Sequence, residues 1–385
     1  PTAIRPVAVE DLLGRPRTVL DRDAMQTLVR NRRVLITGAG GTIGSELVRQ
    51  IADIGPETLV LFDSAEYLLY EIDMAITREH PTLEKRPYLG DVRDRQRIDD
   101  VIAREKPELV FHAAALKHVP MVERNPNEGV LTNVVGTRNV ADACRAADVR
   151  LMVHISTDKA VNPANIMGAT KRLAESYCQA LDLSCQENES TRFVVVRFGN
   201  VLGSRGSVVP LFQSQLARGG PLTVTDPEMT RYFMTVHEAV ELVLQASALG
   251  LTEAESEGRI FVLDMGEPVK IIDLARQIIR LAGLQPDKDV AIEIIGPRPG
   301  EKRHEVLLHE KETPVPTACD GLTLAAPRTP DLALMARTID ELERSAQSRD
   351  ATRTLSLLQR LVPEFDSEDA LPVTTDPVPI SSSRE

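Results

Sequence analysis

What most restricts the fold of this chain is an alternation. Short runs of aliphatic and β-branched residues are followed, again and again up to residue 160, by stretches of helical period. Residues 33–37 (RVLIT), 58–62, 109–112 and 151–155 read as buried strands, and 192–197 (RFVVVR) continues the series. Helices are expected over 45–54, 66–78, from about 95 onward and over 128–146. Strands at this spacing fit parallel pairing through right-handed helical crossovers. The fold class expected is therefore α/β, a doubly wound parallel sheet.

The first strand runs into Gly38-Ala39-Gly40-Gly41-Thr42-Ile43-Gly44. Glycines after a strand and before a helix allow a tight turn and a close backbone approach to a pyrophosphate. The helix N-terminus then offers N–H groups to the anion. The second strand ends in Asp63-Ser64, about 20 residues on, where a carboxylate suits a ribose 2′-hydroxyl and repels a 2′-phosphate. That favours NAD over NADP. Asp91 with Val92 either brackets an adenine, or Asp91 caps the helix starting near Arg95. Ala113, Ala114 and Ala115 are small enough for a dinucleotide to lie against the strand ends. Lys117 and His118 follow, basic residues beside a phosphate site. Asn133 either bridges backbone and a cofactor-linked water or belongs to a polar helix face.

The strand over 151–155 breaks at Ser156-Thr157-Asp158-Lys159, turns at Asn162-Pro163, and the chain re-forms as a helix carrying Met167 and Lys171 on one face. A hydroxyl, a carboxylate and two amines thus gather at a strand's carboxyl end, where open α/β sheets place their ligands.

After residue 200 the pattern loosens into a smaller lobe. The domains expected are a leader (1–30), a dinucleotide-binding domain (31–200), a substrate lobe interleaved with it (201–325), C-terminal helices (326–364) and a disordered tail (365–385). Arg205, Arg231, Arg298 and Lys302 fall in Gly/Pro-rich loops of that lobe, and together they suit a diphosphate-bearing ligand. The net charge of −12 argues against a sequence-independent nucleic-acid binder. Cys144, Cys178, Cys185 and Cys319 lack zinc-site spacing and read as reduced thiols of a cytoplasmic protein; no metal is expected. No run of about 18 apolar residues is present. The chain begins at Pro1 without a Met, so a trimmed piece is expected, and membrane segments before it stay an open question. Apolar faces near 94–104 and 128–146 suit either a dimeric four-helix contact or intramolecular packing.

TGAGGTIGSEL (37–47), FHAAALKHVPMVE (111–123), STDKAVNPANIMGATK (156–171), RFGNVLGSRGSVVPLF (197–212), RYFMTVHEAV (231–240) and GPRPGEKRHE (296–305) resemble the extended short-chain dehydrogenase/reductase superfamily. Within it, the chain is similar to CapD-like polysaccharide biosynthesis proteins, nucleotide-sugar 4,6-dehydratases. The resemblance covers about residues 31–312. It implies a UDP-N-acetylglucosamine 4,6-dehydratase with a bound NAD that is reduced and reoxidised within one turnover. A homo-oligomer is implied, in the cytoplasm or as the cytoplasmic part of an inner-membrane protein.

Most members carry Tyr where this chain has Met167, four residues before Lys171. A thioether cannot take a proton. The Met resembles the larger, membrane-anchored branch, for which retention at carbon 5 is expected. By the same resemblance Thr157 holds the carbon 4 oxygen in place of the usual Ser. Asp158 protonates the departing carbon 6 hydroxyl, Lys159 takes the carbon 5 proton, and Lys171 holds the nicotinamide ribose. Lys159 must then be uncharged, against a reference pKa of about 10.4; burial beside Lys171 would favour that form. Asp158 must be protonated, which an apolar site favours. The base for the carbon 4 hydroxyl is Lys171 through a ribose hydroxyl, Asp158 or a water. Lys117 faces the substrate, Asn200, Arg231 and Arg298 its diphosphate, and Ser204, Gly206, Ser207 and Thr223 its uridine. Alternatives are a nucleotide-sugar 4-epimerase, which needs no acid at carbon 6 and no base at carbon 5, and a non-catalytic binder of NAD or nucleotide sugars.

Overall fold

The structure is a computed structural model that describes residues 20–184, 191–253, 256–326 and 331–365. In chain order its strands are β1 (Arg33–Thr37), β2 (Thr58–Asp63), β3 (Glu84–Leu89), β4 (Leu109–His112), β5 (Leu151–Thr157), β6 (Arg192–Phe198), β7 (Asn200–Val201), β8 (Leu222–Val224), β9 (Thr230–Arg231), β10 (Phe233–Met234), β11 (Ile260–Leu263), β12 (Val269–Lys270), β13 (Ile292–Ile294), β14 (Pro314–Pro316) and β15 (Leu322–Ala325). One sheet has the order β14-β15-β11-β6-β5-β4-β1-β2-β3. β1 to β6 and β11 pair in parallel, while β15 and β14 close one edge antiparallel. The order reverses between β1 and β4, so a crevice opens beyond their carboxyl ends.

Both faces of the sheet are covered, which is why its inner strands read as continuous apolar runs. Val34, Ile36, Leu59, Leu61, Phe111, Val153 and Val194 point to one face. There they meet the helices Arg22–Val29, Thr42–Ile54 and Val236–Thr252. Leu35, Val60, Phe62, Val110, Met152, Phe193 and Val195 point to the other, against Arg95–Glu105, Gly136–Ala146 and Ile166–Leu183. Each such side chain contributes about 1.5–3 kcal/mol by leaving water. A third, smaller core (Leu202, Phe212, Leu222, Val224, Phe233, Ile278) holds the lobe over the sheet's carboxyl edge.

The helix Ile166–Leu183 is buried from Ile166 to Asp182. It packs on β5 and β6, on Gly136–Ala146, and on the C-terminal helices Leu332–Gln347 and Ala351–Leu361. The apolar faces near 94–104 and 128–146 are likewise filled from within the chain: Ile98, Val101, Ile102, Val140 and Cys144 join one core. Their intramolecular packing accounts for the pattern.

Several expectations need correction. β3 was not located from sequence, because Glu84, Lys85, Arg86 and Pro87 give it no apolar rhythm. As the edge strand beside β2 it needs none. The helix expected over 128–146 is a short turn, Pro126–Gly129, a π-helical stretch, Val130–Val135, and then Gly136–Ala146. Asp94, not Asp91, caps Arg95–Glu105, its side chain accepting from the Arg97 N–H. β11, β14 and β15, inside the expected substrate lobe, complete the main sheet. Phe365 is not the start of the tail but a buried member of a core. Residues 366–385, the leader up to residue 19 and Cys185 lie outside the described residues; Cys144, Cys178 and Cys319 are buried free thiols. Among the described residues no helix is long and apolar enough to cross a membrane.

Candidate active site

The crevice beyond β1 and β4 opens into a cavity of about 620 Å³ between sheet and lobe. Gly38 (φ +68°) takes the left-handed turn out of β1, and a Cβ there would lie 2.7 Å from the Ala114 nitrogen. At Gly44 a Cβ would sit 1.9 Å from the Gly38 carbonyl oxygen. Gly40 is no spare glycine: a Cβ would strike Leu68 at 2.5 Å, and its N–H donates to Asp63 Oδ2 at 2.8 Å. Gly41 stands at the N-cap of Thr42–Ile54 without a side-chain cap, leaving that helix terminus's N–H groups to a ligand. Gly41, Thr42, Ile43, Gly44, Ala113 and Ala115 line the cavity. Asp63 Oδ1 also accepts from the Ala65 N–H at 2.9 Å, so the carboxylate is fixed at the end of β2, with the exposed Ser64 beside it. A strand-end glycine cradle, an uncapped helix terminus and an anchored acid fit a dinucleotide.

Other expected cofactor residues stand elsewhere. Arg93 clamps Asp91, its N–H donating to Oδ1 at 3.0 Å and its Nε to Oδ2 at 2.8 Å. Although partial burial works against the charge, these bonds hold the Asp91 carboxyl below its ordinary range. Val92 turns into the core, 2.6 Å from where a Cβ on Gly136 would be. Asn133 is fully buried in the π-helical stretch. It accepts from the Leu116 N–H at 2.8 Å, donates to the Leu116 carbonyl at 2.9 Å and to Thr170 Oγ1 at 3.0 Å. Its partners are thus the Leu116 backbone and Thr170, and what it fixes is the loop presenting Lys117 and His118.

β5 delivers Thr157 to the cavity, and a single 3₁₀ turn, Asp158–Ala160, follows. Here the two sequence neighbours converge. Lys159 Nζ donates to Asp158 Oδ1 at 2.9 Å and to Asn200 Oδ1 at 3.0 Å, and Thr157 Oγ1 donates to Asp158 Oδ1 at 3.0 Å. Asp158 is wholly buried, and its Oδ2 has no hydrogen-bond partner. Asn200, expected at a diphosphate, is thus on the amine.

Lys171 lines the cavity from the helix Ile166–Leu183. Its Nζ lies 2.6 Å from the Ile155 carbonyl, to which it donates, and 3.1 Å from His154 Nε2. Burial pushes its ammonium down to about 8, with Glu175 and Cys178 pulling the other way. Met167 is 3% exposed and joins a core cluster while lining the cavity. Burial, then the charge of Lys159, lowers Lys117 below the ordinary lysine range.

On the lobe side, Ser204, Gly206, Ser207, Thr223, Arg231 and Arg298 line the same cavity. Gly206 (φ +70°) presses on His118, where a Cβ would lie 2.6 Å from Cε1. Arg231 Nη2 donates to the Lys302 carbonyl at 2.8 Å, and its Nη1 to those of Thr230 and Arg303. Thr223 Oγ1 accepts from Gln215 at 2.8 Å. Lys302 Nζ donates to the Val161 carbonyl at 2.6 Å, pinning the lobe to the catalytic turn, and Arg205 lies over the Gly40 carbonyl at 3.4 Å.

Sequence reasoning missed Gly168, where a Cβ would lie 2.2 Å from the Lys159 carbonyl oxygen. Its place beside Met167 was the available signal. It also missed Arg197, Glu175 and Glu312, a buried ion network behind the site with no local signature. Among the described residues no group of three or more His, Cys, Asp or Glu could hold a metal.

A family model described as "Polysaccharide biosynthesis protein" matches residues 34–326. The chain is 50% identical over 310 residues to the capsular polysaccharide biosynthesis protein CapD of Staphylococcus aureus, covering 80% of this chain and 50% of that one. It thus spans about half the length of the first curated relatives it matches. It is 36% identical to a UDP-N-acetylglucosamine 4,6-dehydratase (inverting) of Campylobacter jejuni, covering 74% and 80% of the two chains. It is equally 36% identical to a UDP-glucose 4-epimerase of Rickettsia akari, covering 73% and 79%. Among solved structures, Pen from Bacillus thuringiensis matches with a TM-score of 0.69 at 33% identity, covering 79% of this chain and 91% of that one. The chain belongs to the polysaccharide biosynthesis protein family, within the nucleotide-sugar dehydratases and epimerases of the short-chain dehydrogenase/reductase fold.

Proposed function

We propose that this chain is a UDP-N-acetylglucosamine 4,6-dehydratase that works with bound NAD. The observation that carries the proposal is the meeting at 2.9 Å of Lys159, which lines the cavity beside Thr157, with Asp158, buried directly behind them. A 4-epimerase needs hydride transfer at carbon 4 but neither an acid at carbon 6 nor a base at carbon 5, so this pair would be idle in it.

The glycine cradle, the Thr42 helix terminus and Asp63 would hold the dinucleotide. When bound there, NAD would supply the redox chemistry, hydride acceptance at carbon 4 and hydride return at carbon 6. The chain's own groups move the protons. Thr157 holds the carbon 4 hydroxyl and passes its proton to Asp158, the acceptor it already faces at 3.0 Å. Of the three candidate bases, Asp158 is therefore the one the geometry supports, and it need not begin protonated. The carbon 4 ketone makes the carbon 5 hydrogen acidic. Lys159, in its uncharged form, takes that proton while Asp158 gives its own to the departing carbon 6 hydroxyl. Lys159 then returns its proton to carbon 5. Asp158 ends as carboxylate and Lys159 as amine, as both began. Return by the group that took the proton supports retention at carbon 5.

The Rickettsia relative favours the epimerase as a second reading. Incubation with UDP-N-acetylglucosamine and mass analysis separates the two. Loss of one water supports the dehydratase; unchanged mass with altered sugar stereochemistry supports the epimerase, and bound, unchanged sugar a non-catalytic binder. Lys159→Ala should abolish water loss while the protein still retains NAD, and normal turnover by this variant would exclude the role given to Lys159.

A further inference from the structure

The wild-type chemistry leaves open what aims Lys159. Its Nζ meets two fixed oxygens, Asp158 Oδ1 at 2.9 Å and Asn200 Oδ1 at 3.0 Å. The Asn200 amide turns its oxygen, not its nitrogen, to Nζ. Asn200 is itself held. It opens β7, pairs with Phe233 of β10, and its N–H donates to the Tyr232 carbonyl at 3.0 Å. The two oxygens come from different elements, the 3₁₀ turn after β5 and the strand β7.

An uncharged amine has two N–H bonds and one lone pair in a tetrahedral arrangement. When both N–H bonds are taken by acceptors at fixed points, rotation about Cε–Nζ is locked and the lone pair has one direction left. Lys159 lines the cavity and keeps about a fifth of its side chain exposed, so that direction is the cavity side. With Asp158 alone as acceptor, the staggered positions of the amine would place the lone pair elsewhere as often as there.

We propose that Asn200 is a positioning residue whose amide oxygen, with Asp158, locks the Lys159 amine so that its lone pair faces carbon 5 of the sugar. The inference rests on the dehydratase reading. In the step concerned, the C5–H bond breaks and its proton bonds to Nζ. The C–H electron pair forms the C5–C6 double bond, and the C6–O pair leaves with the proton from Asp158 as water. Because the new N–H occupies the locked direction, it returns the proton to the face it came from.

The test compares wild type, Asn200→Leu and Asn200→Asp with UDP-N-acetylglucosamine in D2O, following water loss by mass and carbon 5 by NMR. Asn200→Leu removes the acceptor at similar volume. Its kcat should fall at least tenfold with KM within threefold, and its product should no longer be of one carbon 5 configuration. Asn200→Asp restores an acceptor at the same place and should recover most of kcat. Unchanged kcat in Asn200→Leu, or a raised KM with unchanged kcat as for a diphosphate contact, overturns the assignment. Failure of Asn200→Asp to exceed Asn200→Leu does the same. If wild type itself loses no water, the dehydratase reading falls, and this inference with it.

Discussion

Replacing Arg197 with Met should cost about 3–5 kcal/mol, the usual loss when one partner of a buried ion pair is removed. Its guanidinium has no solvent exposure. It donates to Glu175 at 3.0 and 2.8 Å, to Glu312 at 2.8 and 3.2 Å, and to the Leu307 carbonyl at 3.0 Å. Methionine keeps most of the apolar stem, so the loss is electrostatic rather than a cavity. Glu175 and Glu312 are left with 0% and 1% of their side chains exposed, and Arg172 reaches Glu175 at 3.5 Å. With about 2 cal/mol/K of unfolding entropy per residue over a cooperative unit of about 300 residues, the loss corresponds to about 5–8 °C in Tm. Calorimetry at pH 7 measures it, with urea titration to check that the m-value is unchanged. Adding Glu175→Gln and Glu312→Gln to Arg197→Met should recover at least half, because the uncompensated charges are then gone. A single-variant shift below about 2 °C, or a triple variant less stable than the single one, would refute the reasoning.

Lys171 gives a pH signature. Its folded pKa of about 8 lies below the ordinary 10.5, so the fold penalises its charged form. That handicap is present in full below about pH 8 and disappears as pH rises toward about 10.5, so wild-type stability should gain across this window relative to Lys171→Met; parallel Tm–pH curves would contradict the burial argument. Met167→Tyr should fold with a loss of about 1–3 kcal/mol from overpacking and should still bind UDP-sugar, as thermal melts and titration calorimetry would show. Gly168→Ala pushes the helix start off the Lys159 carbonyl and should lower kcat at least tenfold together with Tm; an unchanged kcat would mean that the turn adjusts freely.

Much of the fold was legible because parallel strands covered on both faces advertise themselves as apolar runs. The edge strand Glu84–Leu89 did not, since one partner strand and a wet surface leave its side chains unconstrained. The π-helical stretch around Asn133 was hidden for another reason. Within it the Asn133 side chain reaches Leu116, a tertiary bond that no helical period records. The sequence offered Asp91 as a cap for the helix starting near Arg95, and the bond to the Arg97 N–H gives that role to Asp94, three residues on. At the site, the glycine cradle, Asp63 and the Thr157–Lys159 run were readable because each obeys a local rule. Asn200 was placed by its neighbours in sequence, and the structure gives it to an amine 41 positions away. Arg197 and Glu312 are 115 apart, beyond any periodicity.

The last two helices have a consequence for how the molecule is made. Leu332–Gln347 and Ala351–Leu361 lie against the helix that carries Lys171, and Phe365 sits in the same cluster. A growing chain can zip most of its sheet early, yet that helix keeps one flank in water until residues 332–365 have been made and docked. The wall that carries Lys171 therefore sets only after them, and a fragment cut after β15 would expose that flank to solvent.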